Sequence, residues 1–403
     1  MINCRWTGVC FAWLLILNSG TSWAQNDIGD RPNGLPASNG ISRNIDYMAL
    51  WDDVSEGGKA ELHSAVFDVD TKFASTASKI AGTYLPGKVT HSPEDIKHAA
   101  NEFLKSLSEA QKEKVVHKLD SEERAKWTNL PARRNAGGIR LGDLDETQLK
   151  ATFNLLAHLL SRNGYEKMRL IMLADDQLLK NGQRRPGFGT EDFSVVIFGS
   201  PSETELWAFQ LDGHHLGLNV AIHGENITIA PSFIGSQPSR YKLGGHEIRP
   251  LAIEYFLALR FARMLSEDQF KEALVGDTRG QILAGPGKDD FTMKPRGLEC
   301  SKLDDKQKLV MLKLIEAWVG NLPEDHARKR MQEIEAGLAE TRFAWSGPRK
   351  PGSDFSYTIQ GPSMIIEFAL QDLGGDPMNH VHTQYRNPNN DYGKAFTGKS
   401  TEE

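Results

Sequence analysis

Cysteine is almost missing from this chain. Three occur in 403 residues, and two of them, Cys4 and Cys10, lie in the first ten positions, which leaves Cys300 alone in the rest. A lone thiol cannot close an internal disulfide, so the fold must be held by a core. An excess of basic charge is missing too: 47 Lys and Arg face 53 Asp and Glu, a formal charge of −6. That mild acidity argues against a nucleic-acid partner, whose phosphates call for a basic surface. The apolar run at 9–17 is about half the roughly 20 residues that span a membrane, so no stable membrane anchor is expected. Several catalytic signatures are also absent. There is no GxSxG elbow, no GxxxxGKS/T phosphate loop, no HExxH and no CxxC, and His246-Glu247 is followed by Ile248-Arg249-Pro250 without a second zincin histidine. Cys300 has no histidine near it in sequence and reads as a structural thiol.

What is present begins with an address. Arg5, the apolar run at 9–17, the breakers Asn18, Ser19 and Gly20, and the small residues Ser22 and Ala24 predict a secretory signal over 1–24, cleaved after Ala24. Export to the periplasm or the exterior follows. Residues 25–42, rich in Asn, Gly, Asp, Ser and Pro, read as a flexible leader, and 394–403 as a tail. Between them, 43–393 reads as a single large domain with a helical part at 43–190 and a mixed sheet and helix part at 191–393. Ser92-Pro93-Glu94-Asp95 supplies a helix start, 144–161 has helical periodicity ended by Asn163-Gly164, and helical signal returns from Pro250 and from Lys306. Strands are expected at 193–199, 205–222, 226–230, 342–345, 355–360, 363–370 and 380–386. Helices and strands come in blocks, which predicts an α+β fold: a helical N-terminal half packed on a mainly antiparallel sheet bearing a histidine-rich pocket. No short internal repeat is visible.

Five of the twelve histidines fall in two strand segments. In the first, Trp207, Phe209 and Leu211 make an apolar face at odd positions, whereas Leu216, Leu218, Val220 and Ile222 make one at even positions. The parity flips at Asp212-Gly213, as a β-bulge or a tight turn would make it do, with His214 and His215 at the distortion. On the continuing strand His215, Asn219 and His223 share the non-apolar face. In the second segment, an extended chain sends His380, His382, Gln384 and Arg386 to one face, with the two imidazoles about 6 to 7 Å apart along the strand. Just upstream, Glu367 points away from the core face made by Met364, Ile366, Phe368 and Leu370, beside Ile365 and Ala369. A carboxylate among apolar neighbours needs a partner. Two or three histidines and a carboxylate suit a divalent metal, zinc first, with copper, iron or manganese on the same donors.

Phe198-Gly199-Ser200-Pro201, Trp207 with Gly213-His214-His215-Leu216-Gly217-Leu218-Asn219, and Pro231-Ser232-Phe233-Ile234-Gly235 resemble the domain-of-unknown-function family numbered 3500, found in bacteria and fungi. Tyr357-Thr358-Ile359-Gln360-Gly361-Pro362, His380-Val381-His382-Thr383-Gln384-Tyr385-Arg386 and Asn390-Asp391-Tyr392-Gly393 look like its closing motifs. The resemblance implies that His214, His215, Glu367, His380 and His382 belong to a shared pattern. It implies no activity.

The residues themselves lead to the expectation of a metal-dependent enzyme acting on a small-molecule substrate, hydrolysis first. His380, His382 and one of His214 or His215 are expected to bind the metal, with Glu367 as fourth ligand or general base. Arg386 is expected to hold an anionic group, and Asn219 to orient a ligand or donate to an oxyanion. A copper or iron oxidoreductase fits the same residues, and so does a protein that captures a metal ion or small molecule without turnover.

Overall fold

The first described helix starts where the sequence supplies its cap. In the computed structural model, which describes residues 89–131, 137–180, 187–243, 246–289, 291–372 and 376–397, helix α1 (Pro93–Ser106) is capped by the Ser92 hydroxyl, which accepts from Asp95 N at 3.1 Å. Pro93 takes the first turn, where its missing N–H costs nothing. The signal at 1–24, the leader at 25–42 and the helical spacing before residue 89 lie outside the described residues. The other long helices are α2 (Glu146–Leu159), α3 (Arg162–Lys180), α4 (Ala252–Met264), α5 (Asp305–Val319) and α6 (Glu324–Ala336). Asn163-Gly164, expected to end a helix, instead lies in the first turn of α3. Gly164 serves close approach there: a Cβ on it would sit 2.6 Å from the Asn321 carbonyl oxygen. Among the described residues no helix is long and apolar enough to cross a membrane.

The fold is α+β. Its eight principal strands are β1 (Ser194–Phe198), β2 (Trp207–Gly213), β3 (Leu216–His223), β4 (Ser232–Ser236), β5 (Arg342–Ser346), β6 (Ser356–Gly361), β7 (Met364–Leu370) and β8 (Val381–Arg386). They lie in the order β1-β2-β3-β4-β8-β7-β6-β5, every neighbouring pair antiparallel. The sheet is therefore two four-stranded meanders joined where β4 meets β8.

Each meander carries the same accessories. Val116–His117 adds in parallel to β1 as Leu274–Gly276 adds to β5, and Ile139–Arg140 pairs antiparallel with β1 as Leu298–Glu299 does with β5. The short helices Glu109–Val115 and Glu267–Ala273 open with the capping boxes Ser108/Gln111 and Ser266/Gln269. Helices α2 and α5 open with Asp145/Gln148 and Asp304/Gln307. In both halves the two glutamines bond each other, at 2.9 Å for Gln148 to Gln111 and for Gln307 to Gln269. The chain is an internal structural repeat, one copy ending at β4 and the other at β8.

All long helices lie against one face of the sheet. Leu216, Leu218, Val220 and Ile222 of β3 join Met364, Ile366, Phe368 and Leu370 of β7 in one core with helical residues such as Phe153, Phe261 and Trp318. Fully buried Trp207, Trp318 and Trp345 anchor it, and truncating such a side chain to alanine costs about 3–5 kcal/mol. The opposite face is covered by irregular chain. Trp127 Nε1 donates to the Tyr392 hydroxyl at 2.8 Å, and Trp127 lies so close over β3 that a Cβ on Gly217 would meet its ring at 2.3 Å. The histidines lie on this covered face.

Candidate metal centre

Strands β2 and β3 stay paired as far as Gly213 opposite Leu216, which leaves His214 and His215 as a two-residue turn. The parity flip at Asp212-Gly213 is thus the turn of a hairpin and not a bulge in one strand. His215 holds φ at 66°, a left-handed conformation that costs a residue with a Cβ on the order of 1 kcal/mol. Glycine or asparagine is the usual occupant of such a position. Neighbours on both sides hold the backbone: His215 N donates to Asn129 O at 3.1 Å, and Gly235 N donates to His215 O at 2.6 Å. Strain fixed in this way motivates a functional reading of the side chain.

The other two imidazoles come from the start of β8. His380 is extended, with φ −146° and ψ 124°, so it and His382 project to the same face. His382 lies opposite Gly235 of β4 on one side and Ala369 of β7 on the other. Gly235 is needed for this approach. A Cβ there would lie 3.0 Å from His215 Cδ2, 3.2 Å from His382 Cδ2 and 2.8 Å from Val381 O.

His215 Nε2 and His380 Nε2 are 2.8 Å apart, and His380 Nε2 and His382 Nε2 are 3.0 Å apart. An imidazole nitrogen offers one in-plane lone pair or one N–H, so the single Nε2 of His380 cannot make good hydrogen bonds to both neighbours. The ligand atoms of the three imidazoles all lie within 4.8 Å of one another. On one tetrahedral ion at about 2.05 Å, ligand nitrogens are separated by roughly 3.3 Å, a small expansion of the two separations about His380. Burial, then the neighbouring His214, His382 and His380, hold His215 well below the usual imidazole range. Burial, with His380, His214 and Arg279, pushes His382 down to about 3. Both rings are therefore neutral donors at ordinary pH. These three residues can hold a metal ion, and Asp175, His214 and His215 make a second such group.

Asp175 is the residue that sequence reasoning missed. It is buried in α3, its Oδ2 accepts from Gly189 N, and its Oδ1 makes a very short hydrogen bond with His214 Nδ1. A carboxylate can only accept, so Nδ1 carries a proton, and in the neutral ring the lone pair is on Nε2. The His214 ring lies 3.7 Å from that of His215, centroid to centroid, and Phe188 packs edge-on against it at 4.7 Å. The signal, had it been followed, was a pair of acids, Asp175-Asp176, inside an otherwise apolar helical stretch.

Glu367, Arg386 and Asn219 lie on the histidine face but are committed elsewhere. The Glu367 oxygens accept from Leu283 N at 2.9 Å and Ala284 N at 2.8 Å, and the carboxylate belongs to neither ligand group. Burial raises its pKa against those two amides. Its partner is backbone, so it fastens the covering chain and does not reach the imidazoles. Arg386 donates to Asp391 and Asp289 at 2.8 Å each and to the carbonyls of Ala284 and Lys288. Asn219 donates to Pro231 O at 2.9 Å and accepts from Gln210 at 2.6 Å. Four residues from His215 along β3, it is about 13 Å away. Cys300 is buried, and its thiol is pushed up to about 12 by burial, so it stays protonated and inert.

A family model described as "Protein of unknown function (DUF3500)" matches residues 90–394. No curated protein and no solved structure matches the chain.

Proposed function

Because the chain belongs to the DUF3500 family, whose description names no activity, we propose from its own geometry that it is an exported metal-dependent hydrolase of a small-molecule substrate. The ion is held by the Nε2 atoms of His215, His380 and His382. One observation carries this reading: three buried or half-buried imidazoles converge at 2.8 and 3.0 Å with hydrogen-bonding capacity for only one of the two contacts.

Three imidazoles leave the fourth position of a tetrahedral zinc ion open, the pattern of catalytic rather than structural sites. When bound, a divalent ion there supplies Lewis acidity, lowering the pKa of water and polarising a carbonyl or phosphoryl oxygen. The chain supplies the rest. Asp175 fixes the tautomer of His214, whose free Nε2 is a proton acceptor beside the triad, the role that Glu367 was expected to fill. Glu367 and Arg386 tie the segment around 283–289 over the sheet and so limit access of water. His382, half-buried, is the member of the triad nearest to solvent.

The test is metal analysis of the mature protein prepared without a histidine tag, wild type against His215→Ala and against His380→Ala/His382→Ala. One equivalent of metal in wild type and none in the variants is expected. Equal, substoichiometric metal in all three would overturn the assignment. A wild type with one full equivalent but no metal-dependent cleavage of any nitrophenyl ester, phosphate or amide offered would be a capture protein.

A further inference from the structure

The triad leaves one of its own polar atoms unserved. With His215 Nε2 given to the ion, the proton of that ring sits on Nδ1, and this nitrogen is buried with no hydrogen-bond partner among the described residues. A metal-bound imidazole ordinarily hands its second N–H to a carboxylate or a carbonyl. What lies beside His215 is instead a further donor set. Asp175, His214 and His215 each bring one ligand atom, all within 4.8 Å of one another, and all three residues are buried. Within the set Asp175 Oδ1 and His214 Nδ1 already share a proton, while Gly189 N fixes the other carboxylate oxygen. Helix α3 and the β2–β3 turn thus face each other through two imidazoles and a carboxylate, donors that suit zinc and the neighbouring divalent metals.

We propose that Asp175, His214 and His215 form a second divalent-cation site, joined to the triad through the His215 ring, whose Nε2 serves one ion and whose Nδ1 serves the other. The second ion takes the place of the Nδ1 proton of His215, which leaves to solvent. Because it binds beside an ion of like charge, it fills after the first, at metal excess. A neutral imidazole has a single lone pair. Whichever nitrogen of His214 the second ion takes, that ring can no longer accept a proton, so the second ion silences the hydrolase that the first one activates. This consequence and the order of filling rest on the triad reading. The donor set itself does not.

The test is calorimetric titration of zinc into metal-stripped protein without a histidine tag, comparing wild type, Asp175→Asn, His214→Asn and His380→Ala/His382→Ala. Asparagine at 175 keeps an oxygen for Gly189 N. Wild type is expected to take up two equivalents in succession. Asp175→Asn should keep the first and bind the second at least tenfold more weakly, His214→Asn should do the same with Asp175 in place, and His380→Ala/His382→Ala should keep only the weaker ion. A single equivalent in wild type at excess zinc would overturn the proposal. So would a second equivalent of unchanged affinity in both Asp175→Asn and His214→Asn, which would mark the extra zinc as adventitious. The wild-type count decides even where a variant does not fold. One equivalent in wild type that is lost in His380→Ala/His382→Ala sinks the second site alone. Zinc bound by that double variant as tightly as by wild type, but lost in Asp175→Asn, sinks the triad reading alone.

Discussion

Gly235→Ala adds one methyl group to the seam between β4 and β8, and the structure says where it goes. The new Cβ would meet Val381 O at 2.8 Å, His215 Cδ2 at 3.0 Å and His382 Cδ2 at 3.2 Å. Comfortable carbon contacts lie at about 3.5–4.0 Å, so both rings must retreat by roughly 0.5 Å. They retreat from a shared point, and a metal site tolerates errors of only about 0.2 Å in its ligand distances. Zinc affinity is therefore expected to fall by about 10- to 100-fold, as when the support of a ligand is removed. The metal-free protein should lose about 1–3 kcal/mol, the usual cost of overpacking. Zinc titration by calorimetry and urea unfolding of the stripped protein measure the two effects separately. A Gly235→Ala protein less stable when metal-free but with wild-type zinc affinity would refute the ligand assignment, because it would show the rings displaced without consequence for the ion.

Metal-free protein should lose stability in acid. His382 falls from an ordinary value of 6.5 to about 3 on folding, chiefly by burial, so its contribution is present above pH 6.5 and is lost as pH falls toward 3. That contribution amounts to at most about 5 kcal/mol; urea unfolding from pH 3 to 8 should show the slope, and His382→Gln should make it shallower, with buried His215 keeping part of it. His215→Gly removes a ligand and also the left-handed strain at φ 66°. Its metal-free stability should stay within about 1 kcal/mol of wild type while zinc binding disappears, and retained zinc would place the site elsewhere. Glu367→Ala should cost about 1–3 kcal/mol by stranding the amides of Leu283 and Ala284, and should raise hydrogen exchange there without loss of metal. Loss of zinc in Glu367→Gln, which keeps one of the two acceptor oxygens, would return Glu367 to the ligand set.

The features legible in the sequence were those written in local spacing. Alternation marked the strands, Ser92-Pro93 marked a helix start, and the shift from odd to even apolar positions marked a distortion, bulge or turn, which is the hairpin turn that carries His215. Two histidines one residue apart on a strand necessarily share a face, so His380 and His382 could be paired before any coordinates. Long-range partners were not written locally. Asp175 meets His214 across 39 residues of chain, and a helix acid carries no mark of the imidazole it will reach. Glu367 was rightly read as needing a partner, but a backbone amide leaves no trace in the side-chain pattern. The repeat escaped notice because its matching residues are few and scattered: Leu107-Ser108-Glu109-x-Gln111 with Leu265-Ser266-Glu267-x-Gln269, Leu144-Asp145-x-x-Gln148 with Leu303-Asp304-x-x-Gln307, and Gly138 with Gly297, each at φ 87°.

The seam between the repeats gives the site a property that neither half owns. His215 arrives with the first copy, His380 and His382 with the second, and they meet only when β4 and β8 pair in the observed register, Gly235 against His382. A slip of one residue would turn the His382 side chain to the helix side while leaving each meander intact. Zinc uptake would then act as a proofreading step for assembly, separating chains whose halves have closed correctly from chains that are merely folded in each half.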